Sequence, residues 1–302
     1  MNTHFSEDFK IKASEKESDF LMKIKFYGTA AAEGFPGMFC SCETCEKARK
    51  AGGKNIRTRS QTVIDNELMI DFSADSYLHT LKYGLDLRTI KACLLTHGHD
   101  DHFYPYDFHY RAYGYAYFMN ENEKEPLQIY STKASIKDSL HIIDDTKKRD
   151  EKSVNWNEIV PFNAYEILNY KVTPLKADHA KEIDPVIYII EKDGNSILYA
   201  HDTGYFLDET WEYIEKRNIK FDFVALDCTS ILNENAYNNH MGLKACCDVK
   251  ERLLKKNATE NTVFCLHHFS HNGKLIYDDL VPVAKELGFE VTYDSAEFVI
   301  GE

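Results

Sequence analysis

Three histidines and two aspartates crowd into His97-Gly98-His99-Asp100-Asp101-His102, directly behind the apolar run Ala92-Cys93-Leu94-Leu95-Thr96. The run reads as a buried strand, so the polar side chains arrive where a strand stops. His97 and His99 stand two apart and face the same side of an extended chain, and Gly98 lets the backbone bend tightly between them. Imidazole and carboxylate are ligands for divalent metals. A stretch this short cannot wrap four ligands tetrahedrally around one ion without strain. It can divide them, His97 with His99 and Asp101 with His102. The spacing therefore predicts a two-metal centre, with ions roughly 3.5–4 Å apart and water shared between them.

A second cluster lies upstream, Cys40-Ser41-Cys42-Glu43-Thr44-Cys45. Cys42 and Cys45 have the spacing of zinc ligands, and three thiolates leave one ligand to be found. Redox chemistry through Cys42 and Cys45 is the rival reading, but a thioredoxin-type motif would follow a strand and open a longer helix. The other cysteines, Cys93, Cys228, Cys246, Cys247 and Cys265, are scattered among apolar neighbours and read as buried reduced thiols.

The chain has 302 residues, enough for one large α/β domain, and no linker divides it. Residues 1–21 read as an N-terminal extension without chemistry, and residues 22–302 as the folded domain. The polar N-terminus has no apolar core of a signal peptide, and no window reaches the roughly 20 apolar residues of a membrane span, so a cytoplasmic location is expected. Thirty-six basic against 49 acidic residues give a net charge of −13, which argues against DNA or another polyanion as partner. A small anionic substrate stays compatible, because two bound cations would dominate the field inside a pocket.

Alternation at Met22 to Gly28 predicts a first strand, followed by a small-residue loop through Gly37. Ser60 to Asp65 and Glu67 to Asp71 predict a hairpin turning at Asn66, with a helix after it to Gly84. Lys54, Arg57 and Arg59 read as a solvated turn. The aromatic segment from Phe103 to Phe118 reads as helical packing or a subunit contact ahead of a pocket wall. A strand at Leu127 to Ser131 and a helix to about Ile143 follow, with the charged run Asp144 to Lys152 as a solvated connection. Later strands end at Asp178-His179 and His201-Asp202, a strand spans Phe223 to Thr229, and His240 opens a helix. The last strand before the C-terminal helix runs into His267-His268-Phe269-Ser270-His271, any of whose histidines could be a ligand. Strands with interleaved helices suit two sheets packed face to face with helices outside.

The H-x-H-x-D-H pattern resembles the hallmark of the metallo-β-lactamase superfamily. That resemblance implies an α/β (α+β) fold, a four-layer αββα sandwich, and a ligand set in fixed order: His97, His99 and His179 for the first ion, Asp101, His102 and His268 for the second, and Asp202 bridging. Asp71 would support the histidine loop from behind. A Gly-x-Pro loop at Gly34, the Cys-x-Cys-x-x-Cys cluster and a closing His-x-x-His together resemble the PhnP-type cyclic-phosphate phosphodiesterases. This second resemblance implies a structural zinc on Cys40, Cys42, Cys45 and His271, and a histidine that contacts phosphate, matched by His240.

Asp101 and His240 are thus the residues assigned to catalysis, with two divalent ions (zinc or manganese) and one structural zinc as cofactors. The expected activity is metal-dependent hydrolysis of a small cyclic or diester phosphate, such as a ribosyl 1,2-cyclic phosphate. An RNA-processing nuclease, a thioester or lactone hydrolase, and a non-catalytic metal-binding or redox protein are the alternatives. No membrane or DNA partner is expected, and a homodimer is compatible with the tyrosine-rich surface.

Overall fold

The structure, a computed structural model, describes residues 21–119 and 124–301. The expected extension at residues 1–21 lies, but for Leu21, outside the described residues. Two seven-stranded sheets form the centre. The first sheet has the order β14-β1-β2-β3-β4-β5-β6, where β1 is Met22–Gly28, β2 Gln61–Ile64, β3 Leu68–Ile70, β4 Ala92–Leu94, β5 Leu127–Ser131, β6 Val154–Glu158 and β14 Ala296–Ile300. The second has the order β13-β12-β11-β10-β9-β8-β7, with β7 Tyr165–Ile167, β8 Tyr170–Lys176, β9 Val186–Lys192, β10 Asn195–Ala200, β11 Phe223–Asp227, β12 Val263–His267 and β13 Glu290–Val291.

Period-two alternation explains how the sheets stack. In β10, Ile197 and Tyr199 enter the core between the sheets, while Leu198 and Ala200 enter the core on the outer face. In β4, Ala92 and Leu94 face between the sheets and Cys93 faces out. Both faces are buried, so these strands read as unbroken apolar runs. The helices α5 (Asp208–Lys216), α6 (Leu243–Leu254) and α7 (Tyr277–Glu286) cover the second sheet, and α2 (Ser76–Tyr83) and α4 (Leu140–Arg149) cover the first. The result is the expected αββα sandwich. Among the described residues no helix is long and apolar enough to cross a membrane.

The hairpin at Asn66 forms as expected, with Asp65 and Asn66 both at positive φ. Three local readings are corrected. The charged run from Asp144 is helical to Arg149, because Ile142, Ile143 and Thr146 supply one buried face and the charges occupy the other. The helix expected before it is broken into α3 (Lys133–Ile136) and α4, and β6 follows where no strand was expected. Arg57 is buried rather than solvated: its guanidinium donates to Thr29 Oγ1 and the Thr292 carbonyl and stacks 4.1 Å over Phe269. The segment after Phe103 forms a 3-10 helix over Pro105–Arg111 whose tyrosines are mostly exposed.

Candidate metal centre

The polar residues gather at one end of the sandwich, past the carboxyl ends of five strands. Asp71 follows β3, the 97–102 loop follows β4, His179 follows β8, Asp202 follows β10 and His268 follows β12. Gly98 is required there for a reason other than bending. A Cβ on it would stand 1.9 Å from the Ser135 carbonyl oxygen, so only glycine lets the histidine loop lie against α3. Asp71, Asp202 and His268 hold left-handed backbone, with φ of 62°, 49° and 60°. Such conformations cost non-glycine residues free energy and persist where the surroundings over-determine them.

The donor atoms of His97, His99, His179 and Asp202 converge, as do those of Asp101, His102, Asp202 and His268. In the first group His97 Nε2 lies 2.9 Å from His99 Nδ1 and 3.2 Å from Asp202 Oδ2, and His179 Nε2 lies 3.3 Å from His99 Nδ1. In the second, His102 Nε2 is 3.2 Å from each of Asp101 Oδ2, Asp202 Oδ2 and His268 Nε2. Ligands held tetrahedrally at 2.0–2.1 Å from zinc stand about 3.3 Å from one another. The spacing fits an ion in each group, with Asp202 common to both.

Partners behind the imidazoles set which nitrogen faces inward. The Thr96 hydroxyl donates to Asp71, and His97 Nδ1 lies 3.0 Å from that hydroxyl. His102 Nδ1 lies 2.7 Å from Asp71 Oδ2. On the second sheet the pattern repeats: His268 Nδ1 is 2.9 Å from Thr229 Oγ1, which is 3.0 Å from Asp227 Oδ2. Each sheet thus contributes one aspartate, one threonine and the ligands they orient.

Charge tells the same story. Burial lowers the His97 pKa to about 4, leaving a neutral imidazole with a lone pair to offer. Burial also works against charge on His102, but Asp101 and Asp71 outweigh it and hold its pKa well above the ordinary value. The pocket therefore demands positive charge at His102 Nε2, which a proton or a divalent cation can supply. Burial raises Asp101 and Asp202, yet surrounding imidazoles overcome it and hold both below the usual carboxylate range.

His240 does not open a helix, since α6 begins at Leu243. It stands in the preceding loop with Nδ1 3.0 Å from Asp202 Oδ1 and 3.2 Å from Asp227 Oδ2, its side chain 31% exposed at the rim. Against burial, these carboxylates raise its pKa to about 11. Asp227 was not anticipated from the sequence. Its signal is the one that marked Asp71 and Asp202, an acid at the end of an apolar strand. It is fully buried and also accepts from the Met241 and Thr229 amides. His267, the other candidate of its loop, is buried with Nδ1 3.0 Å from Thr292 Oγ1 and Nε2 3.2 Å from Ser60 Oγ, away from both groups.

The thiolate cluster also assembles. Cys40 Sγ and Cys42 Sγ lie 3.6 and 3.5 Å from His271 Nδ1, and Cys45 completes the group. With zinc–sulfur bonds near 2.3 Å, tetrahedral sulfur and nitrogen ligands stand about 3.6 Å apart, which these distances match. The Cys45 amide lowers the Cys42 thiol to about 6, while burial pushes Cys45 up to about 12. Glu33 braces the fourth ligand, with Oε1 3.4 Å from His271 Nε2 and accepting from Ser270 Oγ.

The sequence profile of the beta-lactamase superfamily domain matches residues 68–269, more than half of the chain, and the chain belongs to the metallo-β-lactamase superfamily. No curated protein sequence matches it. Solved structures share its fold. A diphosphatase of the PhnP family is 19% identical, with a TM-score of 0.68 over 92% of this chain and 97% of that one. Zinc-bound PqqB from Methylobacterium extorquens is 17% identical, with a TM-score of 0.70 over 91% and 99%. The short form of human tRNase Z is 14% identical, with a TM-score of 0.61 over 93% and 100%. Family membership together with the ligand groups supports a metal-dependent hydrolase.

Proposed function

We propose that the protein is a phosphodiesterase that cleaves a small cyclic or diester phosphate with two divalent ions bound by His97, His99, His179, Asp101, His102, His268 and the shared Asp202. The observation that carries this reading is the placing of His240, an imidazole on the open rim of the constellation whose Nδ1 stands 3.0 Å from Asp202 Oδ1 and 3.2 Å from Asp227 Oδ2 on its buried side. When bound, the ions neutralise phosphoryl oxygens and acidify water enough for it to act as nucleophile. The chain's own residues do the rest. Asp71 and Asp227 hold the ligand imidazoles in the tautomers that face inward. Asp227 and Asp202 orient His240 by Nδ1, leaving Nε2 to meet a phosphoryl oxygen or to give a proton to the departing alkoxide. A neutral acyl substrate would gain less from a hydrogen-bond donor at that rim than a phosphodiester, which bears charge before and during reaction. Cys40, Cys42, Cys45 and His271 hold a structural zinc in this reading.

The test is turnover of bis(p-nitrophenyl) phosphate, a ribose cyclic phosphate, an organic diphosphate and a thioester by metal-loaded enzyme, wild type and His240→Ala. The expected result is diester cleavage that falls on the order of 10²-fold in the variant with metal content unchanged. Cleavage of the diphosphate or the thioester alone would overturn the diester reading, and unaltered turnover in His240→Ala would remove that residue from the mechanism.

A further inference from the structure

One helix is built inside out. In α2 the residues facing the protein are Ser76 and His79, whose side chains bond to Gln61, Ser73 and Thr58. Of its apolar residues Tyr83 packs against the core at the last turn, while Tyr77, Leu78 and Leu81 face outward at 42–67% exposure. A surface helix places its apolar stripe against a core, so an outward stripe marks a surface that is to be covered. Beside it, over β3 and β5, runs a mostly apolar groove of about 180 Å³, with Met69, Phe72, Phe108 and Leu127 in its lining and the charged Arg88, Asp107 and Arg111 among them. On the groove's far side the segment after the histidine loop exposes Tyr106, Tyr110, Tyr113, Tyr115 and Tyr117, which pair edge-on with one another at Tyr110–Tyr115 and Tyr113–Tyr117.

We propose that this face, α2, the groove and the tyrosine segment together, is the interface of a two-fold homodimer, in which the α2 ridge of each copy seats in the groove of the other. Two observations select a second copy as occupant. The first is area. Six tyrosines about two-thirds exposed leave on the order of 750 Å² of aromatic surface, more than the roughly 300–600 Å² patch of an ordinary monomer and close to the ~800 Å² per partner of a stable interface. The second is self-complementarity, because an isologous contact needs ridge and groove on the same patch. The groove matches the ridge in size, since an apolar cavity of about 150 Å³ accepts one benzene-sized ring.

The test is sedimentation equilibrium of the full chain at micromolar to tens-of-micromolar concentration, independent of activity and of bound metal. Wild type should weigh twice the 35.0 kDa chain. The exposed double substitution Tyr77→Glu with Leu81→Glu should weaken association by at least about 30-fold, with the circular dichroism of the folded chain unchanged. The groove-filling Ala116→Trp should do likewise, and mixing the two variants should restore one of the two ridge-in-groove contacts and part of the dimer. Hydrogen exchange of wild type at low and high concentration should show protection of residues 77–81 and 106–117, a readout that survives if a variant misfolds. A wild-type monomer across the range, or a dimer with no protection on these segments, would overturn the proposal.

Discussion

The two groups of candidate metal ligands are built on opposite plans. The histidine and aspartate centre draws on six strand ends from both sheets, lies almost wholly buried, shares a carboxylate between its halves and leaves His240 at an open rim. The thiolate group takes three ligands from six consecutive residues and a fourth 226 positions beyond the last of them, stands half in solvent and shares nothing. Rigid sheets with aspartates behind the ligands can keep an open coordination position aligned. A closed four-ligand site on two loops joins distant chain instead, here the N-terminal loop and the loop that carries His268. On the proposed reading, the surroundings of the ligands separate a working site from a fastening.

That distinction can be broken most directly at Asp202. Asp202→Ala should lower turnover by on the order of 10³-fold or more and empty the catalytic ions, as counted by metal analysis, while one ion per chain stays on the thiolates. A variant that keeps every ion would contradict a shared carboxylate. Next in size, Asp71→Asn and Asp227→Asn should each weaken catalytic-ion affinity by about 10–100-fold, read by titration with a chelator, because each removes the acceptor behind a ligand imidazole. An effect from only one of them would mean that the two sheets do not contribute alike. Cys45→Ser should remove the thiolate-bound ion and lower the melting temperature by several degrees, with turnover down only about 10-fold through the His268 loop. A loss as deep as that of Asp202→Ala would erase the difference between the two regions.

The effect farthest from turnover concerns an imidazole belonging to neither group. His79 is buried between Gln61 Oε1 and Thr58 Oγ1, and burial lowers its pKa to about 4. The unfolded chain takes up this proton near pH 6.5 and the folded one only near pH 4. Stability contributed by neutral His79 is therefore complete above pH 6.5 and is lost as pH falls towards 4, by about 3 kcal/mol. Denaturant titrations of His79→Gln against wild type should show a flatter acid limb, and equal slopes would rule the group out.

Much of the site could be read from the chain because its chemistry is locally dense: four ligands in six residues after an apolar strand announce themselves. Asp227 carries the same mark as Asp202, a strand-ending acid, but without a neighbouring histidine in sequence nothing singled it out. Arg57 was misread because what buries it, Phe269 and Thr292, lies more than 200 positions away. The charged run at Asp144 hid a helix because three buried positions are a weak stripe, and Lys148 paired with Asp145 describes the wet side of a helix as well as it does a loop. The sandwich itself followed from unbroken apolar strands, whose two buried faces need two flanking layers of helix.

The pairing of β1 with β14, Met22 opposite Ile300, has a consequence for how the molecule comes to exist. On a ribosome, β1 emerges early and can find β2 within some forty residues, but its other edge stays open until nearly 270 more have been made. Every ligand is synthesised before that edge is closed. The nascent chain thus carries an unpaired strand edge for most of its synthesis, a state in which long-range pairing is slow and self-association competes. The alternate lysines of β1, Lys23 and Lys25, are the sort of charge that keeps such an edge from pairing with a neighbour while it waits.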